Sequence, residues 1–193
     1  MKTRTLLVAA CVLLTTASVS AQLDPDPDGF GIYADLGATS AHMTVPVMAN
    51  FEAYLILTNP TVGGGVFGWS CSIGVPENVV ISEWAFNGLH VNAATPPEFC
   101  VGLGGAGIPT SNTVLLSTLR GAVLDSGPAS FTLGSYVLCT GEFPAYAPGD
   151  IRPDFVPMYP SAGWERGAVF TINGAPPVPV DERSWGEVKA LYR

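Results

Sequence analysis

The sequence predicts an all-β chain, an antiparallel sandwich of two sheets. Three observations carry that prediction. Apolar residues alternate with polar ones in run after run, the period of a half-buried strand. The runs are punctuated by 22 glycines and 17 prolines, the residues that make turns. Charged residues are only 12% of the chain against 48% hydrophobic, so the core is ample and polarity must come from Ser, Thr, Asn and backbone. That profile suits a sandwich better than a helical enzyme.

The elements follow in order. Residues 1–21 read as a secretory leader: Lys2 and Arg4, an apolar run over 6–14, then Val19-Ser20-Ala21 as a small-residue cleavage site. Cleavage after Ala21 places the mature chain outside the cytoplasm, in an oxidising setting. Leu7 to Cys11 also looks like a lipobox, but only ten residues precede Cys11 and the apolar run continues past it, so lipid anchoring is not expected. The apolar run is too short to span a membrane, which takes about 20 residues, and no later segment qualifies. Residues 22–29, QLDPDPDG, are an acidic Pro-rich lead-in. The sandwich is expected over 30–173, with strands at 30–35, 42–48, 51–58, 67–75, 79–86, 99–103, 113–124, 130–138 and 168–173. Residues 87–98 and 140–163 are long connections. Residues 174–180, GAPPVPV, form an extended, stiff spacer. Residues 181–193, DERSWGEVKALYR, are the one helical segment. There Ser184 and Glu187 fit a capping box, and Trp185, Val188, Leu191 and Tyr192 share a face.

Charge narrows the partners. Without Lys2 and Arg4 the mature chain keeps six basic residues against sixteen acidic ones, a formal charge of −10. A surface so poor in cations cannot neutralise phosphates, so neither nucleic acid nor an anionic membrane is an expected partner. The mature cysteines are Cys71, Cys100 and Cys139. One disulfide and one thiol is the simplest arithmetic, and Cys139 is expected in the pair. Cys71 is in phase with Trp69 and Ile73, and Cys139 with Phe131 and Leu133, so both are expected to point inward; the pairing stays open.

Four motifs invite chemistry. Asp24, Asp26, Asp28, Gly29 and Asp35 match the spacing of a calcium loop. Prolines 25 and 27 stiffen it, no helix flanks it, and an acidic lead-in to the first strand explains it as well. Calcium is the only cofactor the chain suggests. Residues 102–107 match G-x-G-x-x-G, but Ile108-Pro109 stands where a helix should start, so a Gly-rich loop is expected. His42 and His90 are the only histidines, and no G-x-S-x-G accompanies them. Glu165 and Asp154 cannot be placed in one cleft from sequence. No catalytic residue is therefore assigned. Trp164 follows Gly163 at the end of a long loop and is a candidate platform for stacking sugars, whereas Trp84, in phase with Phe86, is expected in the core.

Two stretches carry a resemblance. VPVMANFEAYLILTNP, VFGWSCSIGVP, FCVGL and TVLLSTL, within residues 45–124, resemble the strand pattern of cohesin-like, immunoglobulin-like sandwiches. The ending SWGEVKALYR is similar to the W-G-x-[IV]-K-x-[LM]-Y-R ends of uncharacterised secreted bacterial proteins. The first resemblance implies a non-catalytic protein-binding domain, and the second implies export. The expected function is thus adhesion, surface assembly or protein interaction at the cell surface, with a protein or a cell-surface glycan as partner. Residues 181–193 would serve as a sorting or docking tail. A carbohydrate-binding module is the alternative, and a secreted hydrolase comes third.

Overall fold

The computed structural model describes residues 25–149, 154–161 and 167–177. The leader with Cys11, Asp24, Trp164 and the tail residues Trp185, Val188, Leu191 and Tyr192 lie outside the described residues.

Thirteen strands are described: β1 (Gly29–Tyr33), β2 (His42–Met43), β3 (Asn50–Thr58), β4 (Gly68–Gly74), β5 (Val79–Phe86), β6 (His90–Asn92), β7 (Glu98–Leu103), β8 (Thr113–Val123), β9 (Ala129–Gly134), β10 (Ala145–Ala147), β11 (Val156–Pro157), β12 (Tyr159–Pro160) and β13 (Phe170–Ile172). One helical turn, α1 (Val137–Thr140), follows β9. The first sheet runs β12-β1-β3-β8-β5. The second runs β11-β10-β4-β9-β13-β2, with β7 along the other edge of β4 and β6 outside β7.

Alternation decides which side chains meet between the sheets. Phe51, Ala53, Leu55 and Leu57 of β3 face Trp69, Cys71 and Ile73 of β4 and Phe131 and Leu133 of β9 in one buried cluster. An aromatic group fills its centre: Trp69 lies 5.5 Å from Phe99 and 5.8 Å from Phe86, and Trp84 lies 5.0 Å from Phe99. Trp84 is half-buried and packs against the core, whereas Val80, expected in the same phase, is exposed because the ladder shifts register between Ile81 and Glu83.

The sandwich is as expected, with four corrections of detail. Both sheets are mixed, because β12 runs parallel to β1 and β2 runs parallel to β13. The strand expected over 42–48 is only β2: Pro46 has no N–H to give a ladder, Met48 takes φ +61°, and the Asn173 side chain pairs with Val45 instead. Its Nδ2 donates to the Val45 carbonyl and its Oδ1 accepts from the Val45 N–H, both at 2.8 Å. The strand expected over 130–138 stops at Gly134, and Val137 and Leu138 turn into α1, exposed. Cys139 consequently leaves the inward phase of Phe131 and Leu133. Strands β6, β10, β11 and β12 fall inside the two expected long connections, because two or three residues are too few to show a period.

Candidate interaction surface on the second sheet

The outer face of the second sheet is built of small residues. Inward-facing Trp69 and Cys71 leave Gly68 and Ser70 of β4 on the outside. Ladder pairing sets Gly102 and Ala147 beside Gly68, and Cys100 and Ala145 beside Ser70. A Cβ on Gly68 would stand 2.8 Å from the Val101 carbonyl, so β4 and β7 approach closely only because this position is glycine.

A disulfide joins Cys100 on this face to Cys139 in α1, with 5.8 Å between their Cα atoms. It closes the chain across 39 residues and tethers α1 beside Ser70. Ser70 points away from the core yet is fully buried, and its Oγ has no hydrogen-bond partner among the described residues. Cys71, one residue on, points inward and is a free thiol. Burial pushes its ionisation up, which leaves it an unreactive apolar side chain.

Apolar side chains on α1 and beside β7 stand in solvent. Leu138 is 86% exposed, Leu89 78%, Val91 73% and Val137 66%. Val91 pairs with Gly102, two residues along β7 from Cys100, and Leu89 shares its phase. Phe143, two residues before β10, is exposed as well. Large apolar side chains from β6, α1 and the approach to β10 thus gather around one covalent link. Glu98 of β7 and Glu142 beside Phe143 are exposed at the rim. Such patches on soluble proteins mark contact sites.

The outer face of the first sheet is built differently. Glu52 on β3 and Glu83 on β5 flank Arg120 on β8 in one cross-strand row. Arg120 Nε donates to Glu52 at 2.6 Å and a terminal guanidinium nitrogen donates to Glu83 at 2.9 Å. Tyr54 donates its hydroxyl hydrogen to the other oxygen of Glu52 at 2.6 Å. That hydrogen bond, followed by the one from Arg120, holds the Glu52 carboxyl below the usual range.

The other candidate residues are scattered. Strand β1 separates Asp28 from Asp35 by a distance on the order of 15–20 Å, and Asp26 lies in the exposed turn before β1. Asp28 is buried and already supplied with donors: Thr61 N–H at 2.8 Å, Thr61 Oγ1 at 2.6 Å and the Tyr146 hydroxyl at 2.7 Å. Burial, then this hydrogen bond, pushes the Tyr146 hydroxyl up to about 12. Asp35 accepts from Thr39 N–H, Thr39 Oγ1 and Ser40 N–H and so closes a loop. Among the described residues no group of three or more His, Cys, Asp or Glu can hold a metal ion. His42 Nδ1 sits 3.2 Å from Thr171 Oγ1, and His90 Nδ1 sits 3.0 Å from the Gly88 carbonyl with its ring against Phe86. The G-x-G-x-x-G match is the end of β7 and a turn that returns Ile108 to pair with Val66. Gly107, at φ +66°, has room for no side chain: a Cβ would stand 2.7 Å from the Val66 carbonyl. No helix among the described residues is long and apolar enough to cross a membrane.

The apolar cluster around Cys100 and Cys139 is the part of this surface that sequence reasoning missed. The one signal was negative: Val137 and Leu138 extend an alternating run past Gly134 without a partner strand to receive them.

No family model matches the sequence, and no curated protein matches it. Among solved structures the chain is similar to a non-cellulosomal cohesin from the hyperthermophilic archaeon Archaeoglobus fulgidus, at 12% identity over 82% of this chain and 97% of that one, with a TM-score of 0.47. It is likewise similar to CaCohA2 from Clostridium acetobutylicum, at 11% identity over 79% of this chain and 99% of that one, with a TM-score of 0.44.

Proposed function

We propose that this is an exported, non-catalytic protein-interaction domain that acts in surface assembly or adhesion through the outer face of its second sheet. The observation that carries the reading is the exposed apolar cluster of Leu89 and Val91, set by the ladder on β7, with Val137 and Leu138, set by the Cys100–Cys139 tether. Exposing four large apolar side chains costs solubility. Fixing two of them on a cross-linked turn removes much of the ordering entropy that a partner would otherwise have to overcome. The leader's charged, apolar and small-residue order supports export. A disulfide beside a buried free thiol suits the same compartment.

The test is capture from the source culture supernatant by the immobilised mature chain and by its Leu138→Asp variant. Leu138 is almost fully exposed, so the variant should keep the wild-type melting temperature. Loss of a specific captured protein by the variant supports the reading. Equal capture by both proteins, or turnover in a hydrolase screen that His42→Ala or His90→Ala abolishes, overturns it.

A glycan-binding role is the second reading. Phe155 and Tyr159 are exposed on the strip that crosses between the sheets, where β11 pairs with β10 and β12 pairs with β1. Exposed rings stack on sugars. Glycan-array binding lost on Tyr159→Ala would favour it over the protein-binding role.

A further inference from the structure

The apolar patch and the exit of the chain toward residues 178–193 lie at opposite ends of the second sheet. From Gly68, level with Val91 through Gly102, the ladder climbs six residues of β4 to Gly74, which pairs with Thr132. It climbs three more along β9 to Ala129, which pairs with Ile172. Nine residues of strand span about 30 Å. β13 runs antiparallel to β9, so it leaves the sheet heading away from the patch. The chain passes the bend at Asn173 (φ +58°), is held once by Thr171 Oγ1 to the Ala175 carbonyl, and emerges exposed at Ala175 and Pro176.

The C-terminal residues carry the chemistry that the patch lacks. Residues 181–193 have one apolar face in their sequence pattern, Trp185, Val188, Leu191 and Tyr192. The acids of this segment, Asp181, Glu182 and Glu187, lie in its first seven residues, and its last six carry Lys189 and Arg193 alone. The patch is apolar with Glu98 and Glu142 at its rim. Arg120, the one cation among the described residues, is engaged by two glutamates on the opposite sheet. Among the described residues the domain therefore has acids to offer a partner's cations, while its one described arginine is already paired. As a polyproline segment the sequence of residues 174–180 would span about 22 Å.

From these placements we infer that residues 181–193 of one copy dock on the Leu138–Val91 patch of a second copy, joining copies head to tail. This rests on the reading of the patch as an interaction surface. The contact is heterologous, with a different surface on each partner, so it leaves one tail and one patch unused and can propagate. Such a contact would make the surface assembly proposed above an assembly of this chain with itself.

Complementation tests it, with the mature chain throughout. Sedimentation or light scattering across a concentration series should show wild type associating. Leu138→Asp removes the acceptor and Trp185→Ala removes the donor, and each should weaken association roughly tenfold or more, the usual effect of removing a central anchor. Mixed together, the two variants should form a one-to-one heterodimer and go no further, since one donor and one acceptor remain between them. A wild-type chain that stays monomeric at every concentration overturns the inference, including the case in which the tail folds onto its own domain. A mixture that fails to associate while wild type does also overturns it, in favour of a symmetric contact. If copies do not associate but Leu138→Asp still loses a protein captured from supernatant, the proposed function stands and this inference alone falls.

Discussion

The two outer faces of the sandwich satisfy water in opposite ways. On the first sheet, Glu52, Arg120 and Glu83 answer one another across three strands in solvent. Each charge has its partner, and no covalent link is involved. On the second sheet, glycine, alanine and serine make a floor that would be flat, and a disulfide fastens a helical turn beside it with apolar side chains outward. The first face is a finished surface. The second is held open at a cost in solubility, which is why it, and not the charged row, is the functional candidate.

Breaking the tether should have the largest effect. A cross-link across 39 residues stabilises by at most about 4 kcal/mol on loop-entropy grounds. Cys100→Ser with Cys139→Ser should lower the melting temperature by several degrees and increase dye binding to exposed apolar surface. An unchanged melting temperature would mean α1 is held by packing alone.

Tyr146→Phe comes next. It removes the hydroxyl that donates to buried Asp28 and accepts from Val62 N–H. Leaving a buried carboxylate short of a donor costs about 1–3 kcal/mol. The pH dependence has a definite sign. The folded pKa, about 12, is raised above the ordinary 10.0, so the stabilisation is complete below pH 10 and is lost as pH rises toward 12. Alkaline melts of wild type should show this extra loss, and those of Tyr146→Phe should not.

Ser70→Ala should be neutral or stabilising by about 1 kcal/mol, because it deletes a buried hydroxyl with no partner among the described residues. A clear loss of stability would show that the hydroxyl is bonded after all. Arg120→Ala is the smallest change. Its exposed pairs are screened by water and salt, so its melting temperature should stay within replicate scatter. A large drop there would reverse the contrast between the two faces.

How much of this is legible in the sequence depends on the range over which each feature is decided. Alternation is local. Phe51, Ala53, Leu55 and Leu57 declare both the strand and the face it buries within seven residues, and β3, β4, β5, β7 and β8 fall within a residue or so of where the pattern puts them. That the mature cysteines would give one disulfide and one thiol was legible from their count; that Cys139 leaves the strand to meet Cys100 was not. The candidate surface was not. Leu89, Val91, Val137 and Leu138 come from segments that read as loop or as continued strand, and only the ladder of β6 on β7 and the Cys100–Cys139 link bring them together.

The sequence by itself thus determined the fold class, the long strands and the inward side of each, because a strand's two faces are written in neighbouring residues. Tertiary structure alone decided three things. It turned Cys139 out of phase to meet Cys100. It gave the Asp28 carboxylate to Thr61 and Tyr146 across 33 and 118 residues. It also brought Leu89 and Val91 to the same face as Val137 and Leu138 and left all four exposed. Each is a choice of partner across long sequence separation, fixed by register and by which donors arrive, and no local period records it.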